Sequence, residues 1–398
     1  MKVYSINSFG NLSTGTIATD ITRLLDQHGH EGRFAYARGG VSSDISSYHI
    51  GNKMDLYMHG AMSRITDRSG FFSKAVTKKL LIDISEYNPD LIQLHNLHGY
   101  YLNVYELIKF IRTRRIPIVW TLHDCWTFTG HCCYFSAVEC DRWKTECFDC
   151  PNRTSYPASY YDNSKNNYKL KKTLFADADF SFVTVSKWLE KTFKQSYLKD
   201  SEVCTIYNGL DTSVFKPVYG DLRKEYNLEK YKIVLGVAST WSQNKGLNDF
   251  VELGYVLPKD YKIVLIGLSR KQIKSIPPNI IGLPRTNSIQ ELVEWYTVAD
   301  IFVNASTEET FGMTTLEAMA CGTPVVVYNA TALPEICEKG CGLVVPPHDI
   351  RGVMGGIESM VSSGKPTEHL LNVTSKYEKN NQYVQYIELY NKILDRIR

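Results

Sequence analysis

The chain has 398 residues, too many for one ordinary hydrophobic core, so two domains of nearly two hundred residues each are expected. Hydrophobic residues make up 43% and charged residues 22%, near globular averages, which excludes a disordered chain. A net charge of +3, from 45 basic and 42 acidic residues, is too balanced for a dedicated nucleic-acid binder.

The opening MKVYSINSF lacks the apolar core and small-residue cleavage site of a secretory signal, and no segment approaches the ~18 uninterrupted apolar residues of a membrane helix. A soluble, cytoplasmic chain is the expectation. In that compartment the ten cysteines are reduced thiols or metal ligands rather than disulfides. Six of them fall between Cys125 and Cys150, which is not how scattered core cysteines are distributed.

In chain order, KVYSI reads as a buried strand, followed by a loop containing Ser13, Thr14, Gly15 and Thr16. ATDITRLLDQHG then has helical spacing and ends at Gly29. GRFAYA, DLIQLH and PIVWTLHD are further strands, with helices over Ala75–Tyr87 and Tyr101–Thr113. From Cys125 to about Tyr161 periodicity vanishes in a stretch rich in Cys, Trp, Tyr and Pro, and long irregular excursions of this kind are usually functional. Alternation resumes with KLKKTLFADA, SFVTVS and WLEKTFKQS. VCTIYNGLDTSVFKP then brings an Asn-Gly turn and Pro217, which sets a domain boundary at Asn208 to Lys216.

The second half repeats the pattern with KIVLGVAS, YKIVLIGL, NIIGL, DIFVNAS, TPVVVYN and CGLVVP as strands. Strands alternating with helices predict parallel sheets covered on both faces, and two doubly wound Rossmann-like domains predict a ligand cleft at the carboxyl ends of their strands. The expected division is 1–207, 208–376 and a C-terminal helix over 377–398 packing back toward the first domain.

The carboxyl-end loops carry the chemistry. IFVNAS feeds Thr307-Glu308-Glu309-Thr310-Phe311-Gly312, with a helix opening at Met313 or Thr314 whose free amides suit a diphosphate. Thr314 and Glu317 also have capping-box spacing, which competes with any ligand role for Glu317. After VAST, Lys245 in WSQNKG offers an ammonium for the same phosphates. TLHD ends another strand with His123 and Asp124, and HNLH places His95, Asn96 and His98 at a third.

Glu309, seven residues, Glu317, followed by AMACGTPVV, is similar to the motif of the retaining GT-B glycosyltransferases of family 4. Lys245-Gly246, Asn208-Gly209-Leu210-Asp211 and ELVEWYTVADIFVNAS stand in that family's order, so the resemblance spans nearly the whole chain. It implies a GT-B fold and transfer from a nucleotide-diphosphate sugar, a UDP- or GDP-sugar, with no metal required for catalysis. His123, Lys245 and Glu309 take the catalytic roles. Gly15, Thr240, Lys245, Thr310, Phe311, Gly312, Met313, Thr314 and Glu317 bind the donor, with Glu309 on the sugar and Glu317 on the ribose hydroxyls. Thr240 departs from the family, which commonly has arginine there, and leaves Arg270 or Arg285 as substitutes.

HNLHGYYLN through TLHDCWTFTGHCCYF and CDRWKTECFDCP resembles the branch serving bacterial exopolysaccharide, capsule and O-antigen assembly. That implies a glycan or lipid-linked glycan acceptor, with His95, Asn96 and His98 on the acceptor side. RSGFFSKAVTKKLLIDI, from Arg68, pairs aromatics with lysines and is a candidate peripheral contact with the inner face of the cell membrane. Cys132 or Cys133 with Cys140, Cys147 and Cys150 offers four thiolates for a structural zinc. Two rival readings are a metal-dependent hydrolase built on His95, His98, His123, Asp124 and His131, and a nucleotide-sugar epimerase of the same fold.

Overall fold

The computed structural model describes residues 1–176 and 179–397. It divides into two compact units, Met1–Tyr207 with Gln382–Arg398, and Asn208–Asn381. The first contains β1 (Lys2–Ile6), β2 (Glu31–Tyr36), β3 (Ser47–His49), β4 (Leu91–Leu94), β5 (Ile118–Leu122), β6 (Phe180–Thr184) and β7 (Val203–Thr205), all parallel, in the order β3-β2-β1-β4-β5-β6-β7. The second contains β8 (Lys232–Val237), β9 (Tyr261–Ile266), β10 (Ile280–Leu283), β11 (Ile301–Asn304), β12 (Val325–Tyr328) and β13 (Gly342–Val345), also all parallel, in the order β10-β9-β8-β11-β12-β13. The central strands β5, β9, β11 and β12 are near-continuous apolar runs because a parallel sheet is buried on both faces there, whereas the edge strands β3, β7 and β13 are partly exposed.

Each order reverses once, at β1/β4 in the first unit and at β8/β11 in the second. The connections leave those neighbours in opposite directions and open a crevice at their carboxyl ends, where ligands of such sheets bind.

The helices of the first unit are α1 (Thr14–Gln27), α2 (Lys53–Thr66), α3 (Lys74–Tyr87), α4 (Val104–Arg114) and α5 (Ser164–Phe175), with a short one at Lys187–Phe193. The last two residues of the KLKKTLFADA stretch lie outside the described residues. α4 starts later than its apolar spacing predicts because the Asn103 side chain accepts from the Glu106 amide and fixes the cap there. The helix Lys379–Asp395 brings Tyr383, Tyr386, Ile387, Tyr390 and Ile393 into one core with Val3, Ile21, Leu25 and Val119. At about 1.5–3 kcal/mol for each large apolar side chain, that burial is a major part of the first unit's stability. Among the described residues, no helix is long and apolar enough to cross a membrane.

Phe71, expected to face a membrane, is instead buried and tilted against Trp126, and its carbonyl accepts from Asn103 Nδ2 at 2.6 Å. α3 presents Lys74, Lys78, Lys79 and Ile82 to solvent without that aromatic.

Candidate active site

In the second unit, the loops leaving β8 and β11 meet at the switch point. Gly246 sits at φ 76°, and a Cβ there would lie 2.4 Å from the Ala305 Cβ and 2.5 Å from its carbonyl oxygen. Only glycine lets the two loops close. The closure is held by Thr307 N donating to the Asn244 carbonyl (2.9 Å) and Asn244 Nδ2 donating to Glu308 Oε2 (2.7 Å). It sets the Lys245 ammonium in an ion pair with Glu309 Oε1. The Glu309 amide donates to Thr331 Oγ1 at 2.9 Å, which anchors the carboxylate's backbone.

The following helix runs Met313–Ala320, with Gly312 as its cap at φ 100°. A cap at Gly312 puts Thr314 at the second helical position and Glu317 one turn further in, so the capping-box reading of this pair is wrong. Thr310 and Phe311 are buried just ahead of the helix, whose first amides have no partner within it. Glu317 keeps part of its side chain at the surface, yet its carboxyl is enclosed by protein. Burial pushes it up to about 7, opposed by the hydrogen bond from Tyr296 Oη at 2.7 Å. Tyr296 lies fully buried in the helix Ile289–Val298. In the sequence WYTV passes for an ordinary buried helix face, and nothing in it marks the Tyr296 hydroxyl as a partner of Glu317.

Thr240 is exposed after β8. Arg270 follows β9, the neighbour of β8, and Gln272 Nε2 of the same short helix donates to the Trp241 carbonyl at 3.0 Å. Arg285 follows β10, two strands from β8. Of the two substitutes for the family arginine, Arg270 is the nearer in the sheet order.

In the first unit, Gly15 lies in the opening turn of α1 rather than at a loop tip. Its Cβ would meet the Phe9 carbonyl oxygen at 2.8 Å, so the glycine admits the backbone of its own β1 loop, while the positive φ values fall on Leu12 and Ser13. His95 and His123, at the ends of β4 and β5, stack with ring centroids 5.3 Å apart, and His95 Nδ1 lies 3.0 Å from His123 Nε2. Burial pulls His123 down to about 4 and lowers His95 well below its ordinary value, so both rings are neutral at pH 7. The Asn96 amide donates to Asn7 Oδ1 at 3.3 Å across the switch point.

His98 turns away from this pair, with Nε2 2.7 Å from Asp124 Oδ2 and Nδ1 3.1 Å from Tyr156 Oη. Burial raises the Asp124 carboxyl, but its charge and hydrogen-bond partner His98 holds it below the usual range overall. His131 pairs with Asp67. The five residues of the hydrolase reading therefore separate into three pairs. Among the described residues, one group of metal-ligating atoms, on His98, Asp124 and Cys133, falls within 4.8 Å. Cys133 Sγ is 3.9 Å from both His98 nitrogens, so it lies along neither lone pair, and both nitrogens already have partners.

Cys133 thus sits beside His98 and Asp124, with the Cys125 amide donating to its carbonyl at 2.9 Å. The Cys132 and Cys150 thiols share a hydrogen bond that lowers Cys150 to about 7 and, with burial, raises Cys132. Cys147 Sγ accepts from the Gly130 amide at 3.2 Å. Lys171 of α5 reaches into the same loop and donates to the Trp126 and Thr129 carbonyls at 2.6 and 3.0 Å, and burial pulls its ammonium down to about 7.

Two all-parallel Rossmann-like sheets, with a cation, a carboxylate and a helix start gathered at the switch point of the second, are the architecture of the GT-B fold. Residues 14–214 match the family model described as Glycosyltransferase Family 4, and residues 231–363 that of Glycosyl transferases group 1. The chain belongs to glycosyltransferase family 4. It is 24% identical to the putative colanic acid biosynthesis glycosyl transferase WcaC of Escherichia coli K12, over 66% of this chain and 65% of that protein. It is also 24% identical to the N,N'-diacetylbacillosaminyl-diphospho-undecaprenol alpha-1,3-N-acetylgalactosaminyltransferase of Campylobacter jejuni, over 54% of this chain and 61% of the relative. In both cases the chain spans slightly under two thirds of the relative's length. The crystal structure of Anabaena HepE in complex with UDP-glucose has the same fold, with a TM-score of 0.68 over 100% of both chains at 16% identity.

Proposed function

We propose that this enzyme transfers a sugar from a nucleotide-diphosphate sugar to a lipid-linked bacterial glycan, with retention at the anomeric carbon, in the cytoplasm at the inner face of the membrane. The observation that carries the reading is the Lys245–Glu309 pair at the β8/β11 switch point, directly ahead of the helix start at Met313. Lys245 exchanges Glu309 for the diphosphate, Glu309 accepts hydroxyls of the sugar, and Glu317 accepts the ribose diol. His123 keeps the donor-sugar contact and Gly15 the diphosphate-side loop that the family resemblance assigns them, and Arg270 serves as the second phosphate cation. The bond from the anomeric carbon to the diphosphate breaks as the acceptor oxygen bonds on the same face. The acceptor's proton passes to a diphosphate oxygen, so no enzymic nucleophile is required. Stabilising the departing diphosphate carries much of the rate. The UDP-glucose held by HepE and the diphospho-undecaprenol acceptor in the Campylobacter relative's name support the donor and acceptor classes.

A thermal-shift series with UDP-, GDP- and ADP-sugars tests the donor. One nucleotide is expected to add ~2.7 kcal/mol at a hundred times its dissociation constant. Protein that responds to none of them, yet turns over a glycan with added metal, returns the hydrolase reading. A single sugar nucleotide converted to its epimer without an acceptor returns the epimerase.

For the irregular stretch after β5, the proposal is a structural zinc on Cys132, Cys140, Cys147 and Cys150, with Cys133 left to His98. The donor chemistry suits zinc, with four thiols along one loop, Cys132 and Cys150 already hydrogen-bonded and the Cys150 thiol near neutrality, but among the described residues no three of these sulfurs lie within 4.8 Å of one another, so the ion would have to draw them together. Four sulfur ligands leave no open position, so the ion would brace the loop rather than act on substrate. Protein purified without a histidine tag is expected to carry about one zinc per chain. Cys147→Ser should release it and expose the loop to proteolysis; metal-free protein with an ordered loop removes the site.

A further inference from the structure

α2 is built inside out. Its buried positions are His59 and Ser63, whereas Met54, Tyr57, Met58, Ala61, Met62 and Ile65 form one continuous helical stripe in solvent, with Tyr57 75%, Met54 65% and Met58 62% exposed. The inward polar face is satisfied: His59 Nδ1 lies 2.8 Å from Ser73 Oγ, and His59 Nε2 accepts from the Gly70 amide at 3.2 Å. The outward stripe is therefore a surface in its own right, six apolar residues contiguous at helical spacing, and a contiguous exposed apolar patch marks a contact with another apolar body.

Beside the stripe is a cavity of about 750 Å³ walled by α2 and by the loops after β2, β4 and β5. Its lining carries three cations, Arg38, Lys53 and Arg64, together with Tyr57, Tyr100 and Tyr156, and includes no carboxylate. Arg38 and Arg64 both act electrostatically on Tyr100 at one wall, opposed there by burial and by the charge of Asp67. Arg38 is fixed by donating to the Gly99 carbonyl, and Arg64 lies 5.7 Å from the centroid of the exposed Tyr160 ring. Tyr156 closes the inner wall and joins it to His98, just beyond the end of β4.

We infer that the cavity binds the phosphate or diphosphate group of a lipid-linked acceptor and that the hydrocarbon chain lies along the α2 stripe at a membrane surface. Charge complementarity selects the occupant. Three cations without a counter-carboxylate in the lining suit an anion, the adjoining stripe suits hydrocarbon, and a lipid carrier phosphate joins both in one molecule. The inference rests on the lipid-linked acceptor in the proposed function, and it moves the membrane contact from α3 to α2.

The test is co-sedimentation with three vesicle types: phosphatidylcholine alone, phosphatidylcholine with phosphatidylglycerol, and phosphatidylcholine with a polyprenyl phosphate at equal charge. The wild-type protein should bind the polyprenyl phosphate vesicles best. Equal binding to the two anionic types shows only general membrane attraction and overturns the site. Lys53→Ala and Arg64→Ala should each weaken that binding about fivefold, the worth of one cation at an anionic surface. Tyr57→Ser with Met58→Ser should weaken it on neutral and charged vesicles alike. Lys78→Ala with Lys79→Ala on α3 should leave it unchanged, and loss of binding there, with α2 variants unaffected, also overturns the inference. Donor binding is read by thermal shift on the same samples. A donor shift without vesicle binding sinks this site and leaves the transferase standing, whereas no donor shift sinks the transferase reading itself.

Discussion

Lys245→Ala is expected to lower kcat by ~10²–10³-fold, the usual consequence of removing a group that stabilises charge developing in the transition state. The melting temperature should hardly move. The Lys245–Glu309 bridge is partly exposed, at 31% and 19% of the two side chains, and bridges of that kind contribute about 0–1 kcal/mol. The loop closure beneath it depends on Gly246 and on the Thr307 and Asn244 hydrogen bonds, none of which the substitution touches. Glu309→Gln should lose activity comparably, because the amide has one acceptor oxygen where the carboxylate has two. The double variant separates function from architecture. If the pair were only a structural bridge, removing both charges would restore activity. If each group meets the donor, the double variant stays inactive. Near-normal transfer by either single variant ends the donor-site assignment.

Much of this site is legible in the sequence because its parts follow strand ends. Once VAST and DIFVNAS are read as strands of a parallel sheet, their carboxyl-end loops are candidates by topology alone, and the structure brings Lys245 and Glu309 together there. What failed was reasoning that took a local pattern without its three-dimensional boundary. Thr314 and Glu317 have capping-box spacing, but Gly312 at a left-handed φ starts the helix two residues earlier and removes the box. Phe71 beside basic residues suggests a membrane face, yet long-range packing against Trp126 claims the ring. The sequence over α2 shows no core-facing helical pattern. Its apolar stripe faces water, and its inward face carries His59 and Ser63, so the expected relation between periodicity and burial is inverted. The histidines of HNLH and TLHD are close in sequence pattern but are sorted by side-chain direction into separate pairs, which spacing does not encode.

The pH dependence of Glu317 gives the second large effect. Its carboxyl titrates at about 7 in the folded chain against 4.5 for an unperturbed glutamate, chiefly because burial disfavours the charge. Between those two values the folded chain holds a proton that the unfolded chain has lost. This group's contribution to stability is therefore greatest below pH 4.5, declines as pH rises, and is lost above about pH 7. The full difference is about 3 kcal/mol, at 1.36 kcal/mol per pH unit. Glu317→Gln retains an oxygen for the Tyr296 hydroxyl and carries no charge. It should thus be more stable than the wild type at pH 8 and lose this share of the pH dependence. Donor binding should move the other way. The ionised carboxylate is the better acceptor for a ribose diol, so wild-type affinity for the nucleotide should climb as pH rises through 7 and then level off, while the glutamine variant binds weakly at every pH. Melting curves and nucleotide titrations from about pH 5 to about pH 8 measure both trends. Coincident stability profiles for wild type and variant would show that the carboxyl is not held protonated by the fold. A variant that is stabilised but binds nucleotide normally would remove Glu317 from the donor site and leave it a buried partner of Tyr296.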